Sequence, residues 1–203
     1  MKTISVIFKA IRKITEYFCN IFYTPIAKTV LFLNGAEVRN GLHVKGYLKV
    51  YITRRGKLSI GKNCRINSGA NHNMIGRQQK NIFWAEGILS FGDNVGMSCS
   101  AFICHNCIKI GNDVTIGGNT VIYDTDFHPL DPEIRKKNSL DINNIKTLPV
   151  FIEDNVFIGA HTTILKGVTI GKNSIVGACS LVTKSIPQNE IWGGNPARFL
   201  RHL

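Results

Sequence analysis

The segment Asp124-Thr125-Asp126-Phe127-His128 carries three side chains that can do acid–base chemistry, spaced two residues apart. Alternate residues of an extended segment point to one side, so a carboxylate at this spacing can orient the imidazole ring and stabilise its protonated form. A histidine held in this way can take a proton from a hydroxyl group. Two other interpretations stay open: the aspartates end a strand and accept hydrogen bonds from loop amides, or Asp124, Asp126 and His128 bind a divalent metal.

A six-residue period of aliphatic residues must position this segment. Glycine often follows the aliphatic residue directly, and asparagine often stands three positions after it. Both residues tolerate positive φ, so the pattern predicts a turn every six residues. Three short strands then close a triangular coil of about 18 residues, and stacked coils bury a continuous aliphatic column. The period runs without a slip through Ile152, Ile158, Ile164, Ile170, Val176 and Val182.

His128 stands where the period requires the next aliphatic residue after Ile122. The pattern then disappears between Pro129 and Leu148, a stretch too long for a coil corner, which predicts an arm that leaves the prism. We therefore expect three parts. They are an amphipathic helical segment at 1–41, a solenoid at 42–192 with an excursion loop at 129–148, and a tail at 193–203.

From about Leu42 to Leu203 the chain resembles the hexapeptide-repeat acyltransferases. The motif "TDFHP" is similar to the active-site segment of the sugar and polysaccharide O-acetyltransferases of this family. The stretch from Val156 to Arg201, which closes in G-N-P-A-R, is similar to the family's acetyl-CoA segment. The resemblance implies an all-β solenoid, a left-handed parallel β-helix, in a homotrimer with its sites at subunit interfaces. The left hand follows from the family alone, since parallel crossovers are otherwise right-handed.

The resemblance also implies an activity, the transfer of an acetyl group from acetyl-CoA to a sugar hydroxyl in capsular or lipopolysaccharide biosynthesis. His128 is then the general base in a direct attack without an acyl-enzyme, with Asp126 favoured over Asp124 as its partner. No metal is expected. Small residues let the pantetheine arm approach the backbone, and basic residues meet the phosphates. The residues carried over to the CoA site are Ala160, Ala178, Thr183, Lys184 and Arg198.

Several alternatives stay open. The acceptor can instead be an amino sugar, serine or an antibiotic, and the chain can be a non-catalytic scaffold. A zinc enzyme resembling the γ-type carbonic anhydrases needs three well-spaced histidines, of which only His128 and His161 look suitable. His161 is also a candidate border of the acceptor pocket. The small polar residue beside the acceptor is unassigned among Ser98, Cys99 and Ser100, and the two tryptophans, Trp84 and Trp192, either stack on a sugar or pack at an interface.

The formal net charge of +12 favours anionic partners. No run of Lys and Arg is long enough for a nucleic-acid tail, so nucleic acid is not expected. Residues 1–33 show helical spacing of apolar residues, interrupted by Lys9, Arg12 and Lys13, which excludes a signal peptide or membrane span. We expect a cytoplasmic protein whose helix packs on the domain's end or on a neighbouring subunit. Peripheral attachment to anionic lipid at the inner face of the cell membrane is the second interpretation.

The six cysteines are expected to be reduced, because no secretory signal precedes them and a chain of this length needs no disulfides. Cys104 and Cys107 resemble half of a zinc site, but the second pair that four-coordinate zinc needs is missing. Packing is the favoured role for both.

Overall fold

The computed structural model describes residues 2–73, 75, 79–136 and 144–203, so residues 137–143 of the predicted excursion lie outside the described residues. Helix α1 (Lys2–Leu33) precedes a three-sided stack of short parallel strands. A second, four-residue helix, α2 (Pro132–Arg135), lies in the excursion, and a 3₁₀ turn spans Ala70–His72.

The strands form three sheets, and from β1 to β18 successive strands along the chain pass from sheet A to sheet B to sheet C. Sheet A contains β1 (Glu37–Val38), β4 (Lys57–Ile60), β7 (Ile88–Phe91), β10 (Cys107–Ile110), β13 (Val150–Ile152) and β16 (Thr169–Ile170). Sheet B contains β2 (His43–Lys45), β5 (Arg65–Asn67), β8 (Gly96–Ser98), β11 (Thr115–Ile116), β14 (Phe157–Ile158), β17 (Ile175–Val176), β19 (Glu190–Gly193) and β20 (Arg198–His202). Sheet C contains β3 (Lys49–Ile52), β6 (Ile82–Ala85), β9 (Ala101–Cys104), β12 (Val121–Tyr123), β15 (Thr163–Ile164) and β18 (Leu181–Val182).

The period-six residues form the core of this prism. Ile152 pairs with Ile170 in sheet A, so one coil takes 18 residues, as the sequence predicts. Ile158 pairs with Val176 in sheet B, and Ile164 pairs with Val182 in sheet C. All six side chains are at most 2% exposed, which makes the aliphatic column continuous through the last coils.

Asparagines at the corner between sheets A and B confirm the predicted turns. Asn155, Asn173 and Asn189 have φ of 59°, 63° and 59°, in the left-handed region. The Asn155 amide Nδ2 donates to Asn173 Oδ1 at 3.2 Å, and Asn173 Nδ2 donates to Asn189 Oδ1 at 2.7 Å. The same residues therefore make the turn and connect one coil to the next.

The solenoid extends beyond the limits expected from the period. Strand β1 begins at Glu37, before the predicted start at residue 42. At the other end, β20 folds back antiparallel on β19, so the segment 193–203 continues sheet B instead of forming a separate tail. Such short edge strands escape period-six analysis because they carry no complete repeat.

Helix α1 packs on the first coil through its C-terminal part. Ala27 and Leu31 are buried there, and the Thr24 hydroxyl accepts a hydrogen bond of 2.9 Å from the amide of Val44. The Tyr23 ring stands edge-on to His72, whose pKa is lowered first by burial and then by the charge of Lys45. Among the described residues, no helix is long and apolar enough to cross a membrane.

A cavity in the aliphatic column should destabilise the whole prism. We expect Ile164→Ala to lower the free energy of unfolding by about 2–5 kcal/mol, because Ile164 is fully buried between coils. The matched control Ile88→Ala removes the same atoms from a side chain that is 47% exposed and should cost less than about 1 kcal/mol. Chemical denaturation of both variants measures the difference, and equal losses would contradict a core confined to the inward positions.

Candidate active site

His128 is exposed at the point where the chain leaves sheet C. Strand β12 ends at Tyr123, and Phe127 turns the chain out of the sheet with a φ of 64°. Pro129, directly after the histidine, is buried. The imidazole thus lies outside the aliphatic column, at the corner between sheets C and A.

The base of the excursion is closed by backbone hydrogen bonds. The Leu148 amide donates to the Asp124 carbonyl at 2.9 Å, and the Asp126 amide donates to the Lys146 carbonyl at 3.1 Å. Between these two bonds, Thr125 forms an antiparallel bridge with Thr147. The chain therefore leaves and re-enters the prism at one place, immediately before His128.

The segment after His128 folds on itself. The Asp131 carboxylate accepts hydrogen bonds from the amides of Glu133 and Ile134 and so caps α2, with Pro132 at the first helical position. The Arg135 guanidinium donates back to the carbonyl oxygens of Pro129 at 2.9 Å and Leu130 at 3.2 Å. These local hydrogen bonds fix the backbone directly after His128, although the excursion continues to residue 148.

Asp124 fits the second interpretation of this segment, in which an aspartate accepts hydrogen bonds from loop amides; its catalytic part stays a prediction. Its side chain is fully buried and accepts hydrogen bonds from the amides of His105, Asn106 and Cys107 at 2.7–2.8 Å. Both carboxylate oxygens are thereby used in closing the turn between β9 and β10. The alternation predicted for residues 124–128 fails because Phe127 takes a left-handed conformation instead of an extended one.

Asp126 has a partner that the sequence did not suggest. Lys166 Nζ lies 2.5 Å from Asp126 Oδ1, and both side chains are about one-fifth exposed. The other oxygen, Oδ2, is buried and has no hydrogen-bond partner among the described residues, so no hydrogen bond joins it to His128. Lys166 lies one coil further along the same corner, and only strand pairing brings it to Asp126.

Aromatic rings line the surface beside His128. The Phe127 ring stands edge-on to Tyr123, with centroids 5.1 Å apart, and to His105, with centroids 6.2 Å apart. His105 Nδ1 is 3.5 Å from Glu86 Oε2, and the Trp84 indole donates to Glu86 Oε1 at 2.9 Å. The rings of Tyr123 and Phe127 therefore lie close to the His105–Glu86 pair.

Two of the candidate CoA residues, Ala160 and Ala178, lie on adjacent coils at the corner between sheets B and C. The Cys179 amide donates to the Ala160 carbonyl at 2.8 Å. A Cβ on Gly159 would lie 2.4 Å from the Ala178 amide nitrogen, so only glycine allows the coils to approach there. Arg198 belongs to the same end of the prism, because the neighbouring Ala197 amide donates to the Leu181 carbonyl at 2.8 Å.

Thr183 and Lys184 lie at the other edge of sheet C. They follow β18 directly, are exposed, and share the corner between sheets C and A with Asp126. A protomer thus carries its candidate residues in two groups, on opposite edges of one sheet. The group at the B–C corner is Ala160, Ala178 and Arg198; the group at the C–A corner is Asp126, His128, Thr183 and Lys184.

The remaining candidates surround the B–C corner or lie apart. Asn119 Nδ2 and His161 Nδ1 are 3.2 Å apart, and since an amide nitrogen only donates, Nδ1 of His161 is the acceptor. Cys99 has a φ of 48° and is buried, as is Ser100, whereas Ser98 is partly exposed. Trp192 is half-buried and donates to Glu190 Oε2 at 2.6 Å, so it packs within the chain.

The cysteines show no features of a metal site. Burial raises the pKa of both the Cys104 and the Cys107 thiols, which keeps them protonated, and the two residues belong to different sheets. Cys64, Cys99 and Cys179 are free thiols as well, whereas the side chain of Cys19 lies outside the described residues. Within the described ranges, no group of three His, Cys, Asp or Glu side chains is placed to hold a metal ion.

Comparison with known proteins fits this geometry. Residues 149–184 match the family model of the bacterial transferase hexapeptide, which comprises six repeats. The chain is 39% identical over 144 residues to a galactoside O-acetyltransferase of Lactococcus lactis, covering 71% of this chain and 62% of that protein. It is 29% identical over 155 residues to a putative lipopolysaccharide biosynthesis O-acetyl transferase of Escherichia coli, covering 74% of each. It also superposes on a hexapeptide-repeat-containing acetyltransferase from Vibrio cholerae with a TM-score of 0.53 and 28% identity, covering 85% of this chain and 76% of that one.

The resemblance to the hexapeptide-repeat acyltransferases is confirmed. The predicted fold class, an all-β left-handed parallel β-helix with an N-terminal helix, is confirmed with it. The chain spans less than two thirds of the Lactococcus relative, 62% of its length.

The three hydrogen bonds that Asp124 accepts should stabilise the fold, and this can be tested. We expect Asp124→Asn to lower the free energy of unfolding by on the order of 3 kcal/mol, because an amide group cannot accept hydrogen bonds from three backbone amides. In the control, Asp93→Asn, the remaining oxygen still accepts from the Lys62 amide, so the loss should stay below about 1 kcal/mol. Thermal and chemical unfolding measure both; an Asp124→Asn variant of normal stability would contradict the assignment.

Proposed function

We propose that the protein is an acetyl-CoA-dependent O-acetyltransferase that acetylates a hydroxyl group of a carbohydrate. The observation that carries the proposal is the exposed His128 at a coil corner of a hexapeptide-repeat prism, at the point where the six-residue period of the sequence breaks. The sugar O-acetyltransferase among its relatives supports the acceptor class, and the acetyltransferase among its structural neighbours supports the reaction.

In the proposed mechanism, an unprotonated ring nitrogen of His128 takes the proton of the acceptor hydroxyl. The oxygen attacks the thioester carbonyl carbon and forms the new ester bond. The tetrahedral intermediate then collapses, the carbon–sulfur bond breaks, and the CoA thiolate leaves with the proton from the imidazolium. No acyl-enzyme is formed. The unpartnered Oδ2 of Asp126 is the acceptor that can orient the ring once substrates are bound.

The donor site is proposed to lie along the B–C corner. The small side chains of Ala160 and Ala178 leave the backbone of adjacent coils open to the pantetheine arm. Arg198 is exposed at this corner, and Thr183 and Lys184 are exposed at the C–A corner, which the neighbouring protomer would contribute. Their polar and basic groups can meet the CoA phosphates. When bound, acetyl-CoA supplies the activated acetyl group.

A trimer is proposed because the two groups of residues lie on opposite edges of sheet C. When the B–C corner of one protomer packs against the C–A corner of the next, Ala160, Ala178 and Arg198 come close to His128 of the neighbour. Such a contact joins different surfaces of the two subunits, and it closes into a ring when the rotation fits. Three equivalent sites result, one at each interface.

A glycan made at the cell envelope is the proposed acceptor, such as a capsular or lipopolysaccharide sugar. The likeness to a lipopolysaccharide biosynthesis O-acetyl transferase supports it. We propose that the reaction takes place in the cytoplasm, because this compartment supplies CoA thioesters.

His128 should be required for turnover but not for donor binding. We expect His128→Ala to lower kcat by roughly a hundred- to ten-thousandfold, the usual contribution of a general base, with unchanged affinity for CoA. The exposed His43 lies on another sheet, so His43→Ala should retain full activity. Acetylation of galactosides and envelope sugars followed by mass spectrometry measures turnover, and calorimetry measures CoA binding.

Three outcomes would contradict this function. Normal turnover by His128→Ala removes the base assignment, and absence of CoA binding by the unchanged protein indicates a scaffold. Stoichiometric zinc in the purified protein, with carbonic anhydrase activity, favours the zinc enzyme instead.

The shared site can be tested by mixing two inactive variants. His128→Ala lacks the base, and Ala178→Trp blocks the CoA corner, where Ala178 is exposed. If each site uses the histidine of one protomer and the Ala160–Ala178 corner of its neighbour, an equal mixture of the two variants refolded together should regain about a quarter of all sites. Variants refolded together and variants mixed without subunit exchange give the comparison; no recovery would place both residues in one protomer's site.

A further inference from the structure

Helix α1 presents an apolar face to solvent along its N-terminal two thirds. The helical period places its members within an arc of about 120°. Each of these side chains is 54–73% exposed, although aliphatic and phenyl groups are normally buried. The members are Ile4, Ile7, Phe8, Ile11, Ile14, Phe18 and Phe22.

The apolar face points away from the prism. Ala27 and Leu31 are the buried contacts of α1 on the first coil, and they lie on the opposite side of the helix. The same opposite side carries Lys9 and Lys13 further towards the N-terminus. A flat partner can therefore cover the apolar face along its length without colliding with the solenoid.

The electrostatic charge of the protein is concentrated at this end. Residues 1–80 contain 15 of the 25 Lys and Arg residues but only two of the 13 Asp and Glu residues, Glu16 and Glu37. Their formal charge is +13, while residues 81–203, with ten basic and eleven acidic residues, carry −1. Arg39, Lys49, Arg54 and Arg55 extend the positive surface from the helix over the first coil, and all four are exposed.

We propose that α1 docks this protein on the surface of an anionic phospholipid bilayer, with the apolar face among the acyl chains and the solenoid on the aqueous side. An exposed apolar face opposite basic residues is the pattern of a helix that lies in a membrane interface. Anionic headgroups attract the positive end, and the attraction falls off within a Debye length. A second copy of the chain would bring the same positive charge, whereas an anionic bilayer compensates it. The proposal does not depend on the proposed acetyl transfer.

Sedimentation of the protein with lipid vesicles tests the proposal. Vesicles of phosphatidylglycerol and phosphatidylcholine should bind the protein, vesicles of phosphatidylcholine alone should bind it at least tenfold less, and rising salt should weaken the binding. Ile11→Lys combined with Phe18→Lys raises the positive charge but removes two apolar anchors, so binding to the anionic vesicles should fall at least tenfold. Ala10 is exposed and is not a member of the apolar face, so Ala10→Lys adds a positive charge without removing an anchor and should retain binding. Circular dichroism and thermal melting verify that each variant folds.

The alternatives give different results. No binding of the unchanged protein to anionic vesicles overturns the proposal. Equal or stronger binding by the double lysine variant indicates adsorption through the charged first coil. This result would overturn the proposal that the apolar face inserts among the acyl chains. Analytical ultracentrifugation without lipid tests whether a second copy of the chain covers the apolar face instead. Assembly larger than a trimer that the double variant abolishes would show that it does.

Discussion

The stacking of aliphatic residues from coil to coil is the interaction on which this molecule depends. A single triangular coil has only a few inward side chains and cannot bury them alone. Pairing of Ile152 with Ile170, and the equivalent pairs in the other two sheets, joins them into one column. A regular coil returns after 18 residues, and the long insertion after β12 leaves the prism at a corner, where it does not interrupt this pairing.

The same constraint explains why the candidate site residues lie at corners. Inward positions are filled by aliphatic side chains, and the strands hold the backbone in regular pairing. Polar side chains that are not bound to this regular spacing therefore occur where strands end. His128, Lys166 and Lys184 follow three successive strands of sheet C at one corner. The opposite edge of that sheet carries small residues that expose the backbone. A repeat that gives every protomer two such edges has the material for a site between subunits.

The two ends of the prism differ in charge and in surface. Residues 1–80, which comprise α1 and the first two coils, carry a formal charge of +13, and α1 carries the exposed apolar face. The last coils hold the candidate CoA residues. A protein built in this way can meet a surface with one end and leave the corners of its last coils open to a water-soluble ligand. The solenoid makes this separation simple, because each coil contacts only its neighbours and can vary on its outer side.

The sequence by itself determined the coil, its turns and the corner from which His128 projects. These properties are local: the six-residue period, the residues that accept positive φ and the loss of the period at Pro129 are all read along the chain. Only the tertiary structure decided what the two carboxylates contact. Asp124 and Asp126 alternate with His128 in sequence, but the left-handed Phe127 breaks the alternation, and Asp124 closes a turn 17–19 residues before it in the chain. Lys166 reaches Asp126 across 40 residues, because strand pairing between coils, not distance along the chain, sets which side chains meet.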